Sequence, residues 1–147
     1  MEGKSTFWVE MEETKAILKA ATHRSLAIVD ELGRGTSTFD GYALAHAVLT
    51  YLVDTLHCPS LYSTHYHMLL DDFRERPGVS LYHMACRVKN DHEVMFLYRF
   101  ERGECPRSFG MNVARMSGIP LKVIQRASKK AEEFSLKLKK LTEGVRE

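Results

Sequence analysis

The chain has 147 residues, 44% hydrophobic and 27% charged, and a net charge of +2. That balance suits a single folded domain and excludes collagen-like and disordered chains. Apolar runs are only a few residues long, as in Leu26 to Val29, so no segment approaches the ~20 residues of a membrane span.

Two further counts narrow the class. The first ten residues, MEGKSTFWVE, carry no apolar signal core, so secretion is not indicated. Cys58, Cys86 and Cys105 are odd in number, and reduced thiols are the expectation. Charge is unevenly spread: residues 1–120 have a balance of −2 and residues 121–147 a balance of +4. A basic tail of this kind is either a solvated helix face or an arm for nucleic acid.

In chain order, Thr6 to Val9 read as extended and Glu10 to His23 as a helix with Ile17, Leu18 and Ala21 on one face. Residues 26–31, Leu-Ala-Ile-Val-Asp-Glu, predict a strand buried on both faces, as in a parallel sheet. A glycine-rich loop follows from Gly33 to Thr38. Ala45, Val48, Leu49, Leu52 and Leu56 then have helical spacing over 39–57, and Leu61 to Thr64 form a second strand ending at His65. Strand, helix and strand make a βαβ unit. Farther on, Tyr82, Met84, Cys86 and Val88 alternate, as do Val94, Phe96, Tyr98 and Phe100, which predicts an antiparallel hairpin turning through residues 89–93. Residues 108–117 predict a short helix capped by Ser108 and stopped before Gly118, with Pro120 opening a last helix. In that helix Ile124, Ala127, Ala131, Phe134, Leu138 and Leu141 form a narrow seam suited to lying along another helix.

The chemistry concentrates at Asp30-Glu31. A hydrophobic strand that ends in two acids has the form of a Walker B element, and open α/β sheets bind ligands at that edge. Asp30 suits a water-mediated Mg²⁺ site. Glu31 suits orientation or deprotonation of the water that attacks a γ-phosphate. The same string also fits a strand that ends in a solvated acidic turn. His65 ends the neighbouring strand, where its ring would share the edge with Glu31 and contact a phosphate oxygen or the attacking water. Structurally it is equally a solvated strand end. His65, His67, His83, Cys86 and Cys105 are zinc-type ligands, yet they lack the paired spacing of a zinc site. Gly3-Lys4-Ser5-Thr6 looks like the end of a phosphate loop, but the glycine required five residues before Gly3 is not in the sequence.

Four strings carry a resemblance: STFWVEMEET (5–14), LAIVDELGRGTSTFDG (26–41), LYSTHYH (61–67) and ECPRSFGMNVARMSGIP (104–120). Together they resemble the C-terminal half of the ATPase domain of the MutS family of DNA mismatch repair proteins, over residues 3–140. His83 to Cys86 and Glu104 to Gly110 look most like the eukaryotic MutS homologue 6 type.

The resemblance implies an α/β fold, the C-terminal half of an ABC-type P-loop NTPase domain. Its parts would be parallel strands with a crossover helix, a β-hairpin and C-terminal helices of helix-turn-helix type. It implies a partial ATPase domain over 1–106 and a helical dimerisation region over 107–147. It matches Asp30 and Glu31 to the Walker B pair and His65 to the switch histidine. Gly33, Arg34, Gly35 and Thr36 match the loop between nucleotide sites, with Asp40 as its aspartate. Ser5 and Thr6 match the signature segment that reaches a partner's γ-phosphate.

The implied cofactors are ATP and Mg²⁺, and the implied location is the nucleus. The implied partner is another MutS-family subunit, of the MutS homologue 2 type, in a heterodimer. Mismatched DNA would be met only through N-terminal domains not represented here. The family's Walker A loop has no counterpart in this sequence. The expectation is therefore a fragment that neither binds ATP alone nor recognises a mismatch. A catalytically inert module for docking onto another subunit is the alternative.

Overall fold

The computed structural model describes residues 5–89, 93–105 and 108–143, with side chains described up to residue 137. Gly3, Lys4, the centre of the hairpin turn and the boundary expected at 106–107 lie outside the described set, as do the side chains of the seam residues Leu138 and Leu141. The chain divides into two compact units, Met1–Leu81 and Tyr82–Glu147.

The first unit opens with helix α1 (Thr6–Ala20), then strand β1 (Ala27–Asp30), helix α2 (Thr38–Asp54), strand β2 (Ser60–Ser63) and helix α3 (His67–Phe73). The expected extended stretch at 6–9 is instead the first turn of α1. The Ser5 hydroxyl accepts from the Trp8 amide at 3.2 Å, and that cap starts the helix four residues early. Helix α2 begins in a similar way. Ser37 Oγ accepts from the Asp40 amide at 3.2 Å and donates to the Asp40 carboxylate at 2.8 Å. An acid in the first turn also complements the helix dipole.

Strands β1 and β2 pair in parallel, with Ala27 opposite Ser60 and Asp30 opposite Ser63. The βαβ reading thus holds. One core joins Ala27, Val29, Leu32, Val48, Leu52 and Cys58, with Ile17 and Leu18 of α1 and its C-cap Ala21 packed on it. A second joins Ala45, Tyr66, Leu69 and Phe73. Burying each such leucine or phenylalanine contributes about 1.5–3 kcal/mol.

The strand β1 expected to be covered on both faces is covered on one. Ala27 and Val29 are buried, but Ile28 is 67% exposed and its register partner Leu61 54% exposed. Among the described residues this sheet has two strands, and nothing packs over its second face.

The second unit contains strand β3 (Tyr82–Lys89), strand β4 (Glu93–Arg102), helix α4 (Gly110–Met116) and helix α5 (Leu121–Glu143). The hairpin forms as expected, but its alternation breaks. Met84 pairs with Phe100 and Cys86 with Phe96, so Ala85 faces three residues of β4. Ala85 and Val94 turn inward, while Tyr82 and Phe100 stack on the exposed face, their ring centroids 4.5 Å apart. Ser108 does not occupy the cap position of α4, which falls to Phe109; its hydroxyl meets the Gly110 amide at 3.4 Å. The helix stops as expected. Gly118 and Ile119 donate back to Arg115 and Ala114, both at 3.1 Å, in a Schellman arrangement. Along α5, Ile124 is buried but Phe134, in the same seam, is 63% exposed.

Candidate functional site

Parallel pairing delivers the C-terminal ends of β1 and β2 to one edge. Asp30 lies opposite Ser63 there, Glu31 follows Asp30, and His65 comes two residues after Ser63. Ser63 anchors both acids. Its hydroxyl donates to Asp30 Oδ1, and its carbonyl accepts from the Glu31 amide at 3.1 Å.

The two acids differ in presentation. Asp30 is exposed, with its carboxylate steered by the Ser63 hydroxyl. Glu31 is half-buried and its backbone is left-handed, at φ 49°. Such a conformation costs a non-glycine residue about 1–2 kcal/mol. Its carboxylate takes a 2.5 Å charge-assisted bond from Arg34 Nη1. His65 is exposed and its ring lies on Tyr66, 4.1 Å between centroids. The histidine therefore shares the edge with the acids, while Glu31's carboxylate is engaged by Arg34.

The loop after Glu31 folds back on itself. Leu32 is 2% exposed and plugs the core, and Gly33 follows at φ +89°. Gly33 and Gly41 touch backbone to backbone. A Cβ on either would collide with the other's main chain, and one on Gly41 would also strike the Tyr66 hydroxyl. Gly35 runs beside Phe7, whose Cβ lies 3.2 Å from where a Gly35 Cβ would stand. This brings the loop alongside the first turn of α1, and so close in the fold to Ser5 and Thr6 at its start. Arg34 and Asp40 are exposed, and Thr36 is half-buried.

A shallow cavity of about 100 Å³ beside Asp30 is lined by residues that include Glu10, Glu13, Thr14, Ile28 and Leu32. That is below the ~300–1,000 Å³ of small-molecule sites, so a nucleotide here would need further walls. Asp30 offers a hard, exposed oxygen donor, which fits a hydrated dication that keeps most of its water. No three His, Cys, Asp or Glu side chains cluster as a metal cage among the described residues. His83 instead places Nδ1 3.1 Å from the Gly103 carbonyl, and the three cysteines are free thiols.

Sequence reasoning passed over Ser63, Tyr66 and Glu10. The parallel register would have pointed to Ser63, because the ends of two neighbouring strands must meet. Tyr66 and Glu10 act through a hydroxyl and a carboxylate on the Gly33 peptide, a contact that no spacing rule encodes.

The family model for MutS domain V matches residues 1–135. The chain belongs to the MutS family. This MutS-family chain is 51% identical over 140 residues to the human DNA mismatch repair protein Msh6, covering 91% of this chain and 10% of that protein. It is 49% identical over 138 residues to MSH6 of Arabidopsis thaliana, covering 91% and 10% respectively. Against the DNA mismatch repair protein MutS of Sorangium cellulosum it is 50% identical over 125 residues, covering 85% and 14%. The chain thus spans about a tenth of the length of the Msh6 proteins it matches.

Proposed function

We propose that this chain supplies the Mg²⁺-handling and water-handling part of a mismatch-repair ATPase of ABC type. The observation that carries the reading is the β1–β2 edge, where Ser63 holds Asp30 and Glu31 side by side with His65 just beyond. Asp30 would hold Mg²⁺ through water, and the ion would neutralise phosphate charge. Glu31 would orient or deprotonate the attacking water, which requires its carboxylate to leave Arg34. His65 would contact a phosphate oxygen or that water from the same edge.

Ser5 and Thr6 would serve as the signature segment for a partner's nucleotide, and Gly33 to Asp40 as the loop between sites. The proximity of that loop to Phe7 in α1 supports the pairing of these two roles. The phosphate-cradling amides and lysine of a P-loop would come from outside the residues seen here. The partner would be a MutS homologue 2 type subunit in a nuclear heterodimer, and mismatched DNA would be bound by other domains.

Two measurements test this. Calorimetric titration of the chain with Mg-ATP gives no heat, whereas tight binding overturns the division of labour. In the full-length protein, Glu31→Gln keeps nucleotide binding and slows hydrolysis by roughly 10²-fold. Unchanged turnover removes Glu31 from the role of base.

A second reading, an inert subunit-docking module, draws on α5, where Phe134 and Leu136 are 63% and 60% exposed beside basic residues. Co-elution with a MutS-type partner on size exclusion supports it when Glu31→Gln leaves turnover unchanged.

A further inference from the structure

Gly33 is held at both of its main-chain polar groups. Its N–H donates to Glu10 Oε2 on α1 at 3.4 Å. Its carbonyl accepts from the Tyr66 hydroxyl at 2.9 Å. Tyr66 is 8% exposed and Gly33 is buried, so water does not readily replace the second bond. Tyr66 is itself fixed: its amide donates to Thr64 Oγ1 at 3.0 Å, its ring meets Tyr42 edge-on at 6.0 Å, and the His65 ring lies against it.

Glu31 stands between two anchors. On its N-terminal side the amide is tied to Ser63, and on its C-terminal side Leu32 and the doubly held Gly33 follow. A left-handed glutamate persists only where its surroundings over-determine it. We infer that Tyr66 and Glu10 are positioning residues for Glu31. By fixing the amide N–H and the carbonyl of Gly33, and so the peptide groups on both sides of it, they hold the left-handed turn that presents the carboxylate. Because Tyr66 is the residue after His65, the same hydroxyl ties the histidine's turn to the acid's turn. Because Glu10 stands on α1, it ties the helix capped by Ser5 to Gly33 as well. The inference rests on the reading of Glu31 as the water-handling acid only for its catalytic meaning; the clamp itself is testable without nucleotide.

The test is solution NMR of the 147-residue chain. Tyr66→Phe keeps the ring and removes only the donor. It is expected to move the carbonyl ¹³C signal of Gly33 and the carboxyl ¹³C signal of Glu31. Amide exchange from Arg34 to Asp40 should speed up by about tenfold or more, with Val29 in β1 changing less than about twofold. Glu10→Gln retains an oxygen acceptor and should leave both signals near their original positions, whereas Glu10→Ala should reproduce the loosening. Uniform acceleration across residues 5–81, or no movement of the Glu31 signal in either Tyr66→Phe or Glu10→Ala, overturns the inference. If Tyr66→Phe unfolds the unit, the two Glu10 variants decide alone. A loosened turn together with unchanged hydrolysis in Glu31→Gln would refute the catalytic reading and leave the clamp standing.

Discussion

Glu31 and Tyr98 share a backbone conformation and little else. Each is a non-glycine residue with a left-handed backbone, at φ 49° and 51°. Glu31 has a bonded amide, a bonded carboxylate, a buried leucine after it and a clamped glycine beyond. Tyr98 lies in the bulge where three β4 residues face Ala85, and its side chain is 85% exposed. In one turn the strain is opposed by bonds that also aim a carboxylate. In the other it accompanies a change of strand register. An unusual φ marks a candidate site only when the surrounding contacts have a direction, and of these two residues only Glu31's do.

The largest expected effect comes from Gly41→Ala. Its methyl group enters the space of the Gly33 carbonyl and the Tyr66 hydroxyl, so the loop must move. Overpacking against main chain should cost about 3 kcal/mol, read as a drop in urea midpoint. A loss under about 0.5 kcal/mol would show that the loop is not locked, and the contrast with the bulge would fail.

Glycine substitution at Glu31 and Tyr98 gives a smaller, signed result. Tyr98→Gly relieves the left-handed strain and gives up little packing, so stability should rise by about 0.5 kcal/mol. Glu31→Gly relieves the same strain but loses the Arg34 pair, and its net change should stay within about 0.5 kcal/mol. Equal gains at both positions would erase the distinction between the turns.

The smallest effect is alkaline. The hydrogen bond to Asp72 pushes the Tyr42 phenol up to about 12, with burial adding to it. Burial, and then the charge of Glu10, raises Tyr66 above the ordinary tyrosine value, and burial raises Tyr62. Unfolded tyrosines ionise near ~10, so above that pH the unfolded chain releases protons that the folded chain retains. This contribution is therefore complete below pH ~10 and declines as pH rises from there towards the folded values. Urea midpoints at pH 8, 10 and 11 should fall in that order, and Tyr42→Phe should flatten part of the slope. A slope unchanged by Tyr42→Phe would assign the alkaline loss elsewhere.

Much of this was legible in the residues. The apolar string before Asp30-Glu31 marked β1, helical spacing marked α2, and Gly118 marked the end of α4, because each signal is local. What failed was non-local. Burial of β1 on both faces was inferred from the four apolar residues Leu26 to Val29, but Ile28 has no covering element among the described residues. The start of α1 was missed because Thr6, Phe7 and Val9 favour strands, while the Ser5 cap outweighs that preference. The β3–β4 alternation ran through Tyr98 as though the register were constant, and the bulge altered it. At the candidate site the acids and His65 could be read from their strand ends. The Tyr66–Gly33–Glu10 contacts could not, since they join residues 23 and 33 positions apart in sequence.

Ser63 touches the two acids through different parts of itself, and this separates them under mutation. Its hold on Asp30 is a side-chain hydroxyl, which Ser63→Ala would delete. Its hold on Glu31 is a main-chain carbonyl, which any residue that keeps β2 in place would supply. Natural variation at this one position can therefore retune the Asp30 carboxylate while the Glu31 backbone anchor is inherited unchanged, and only a slip of the whole strand would alter both.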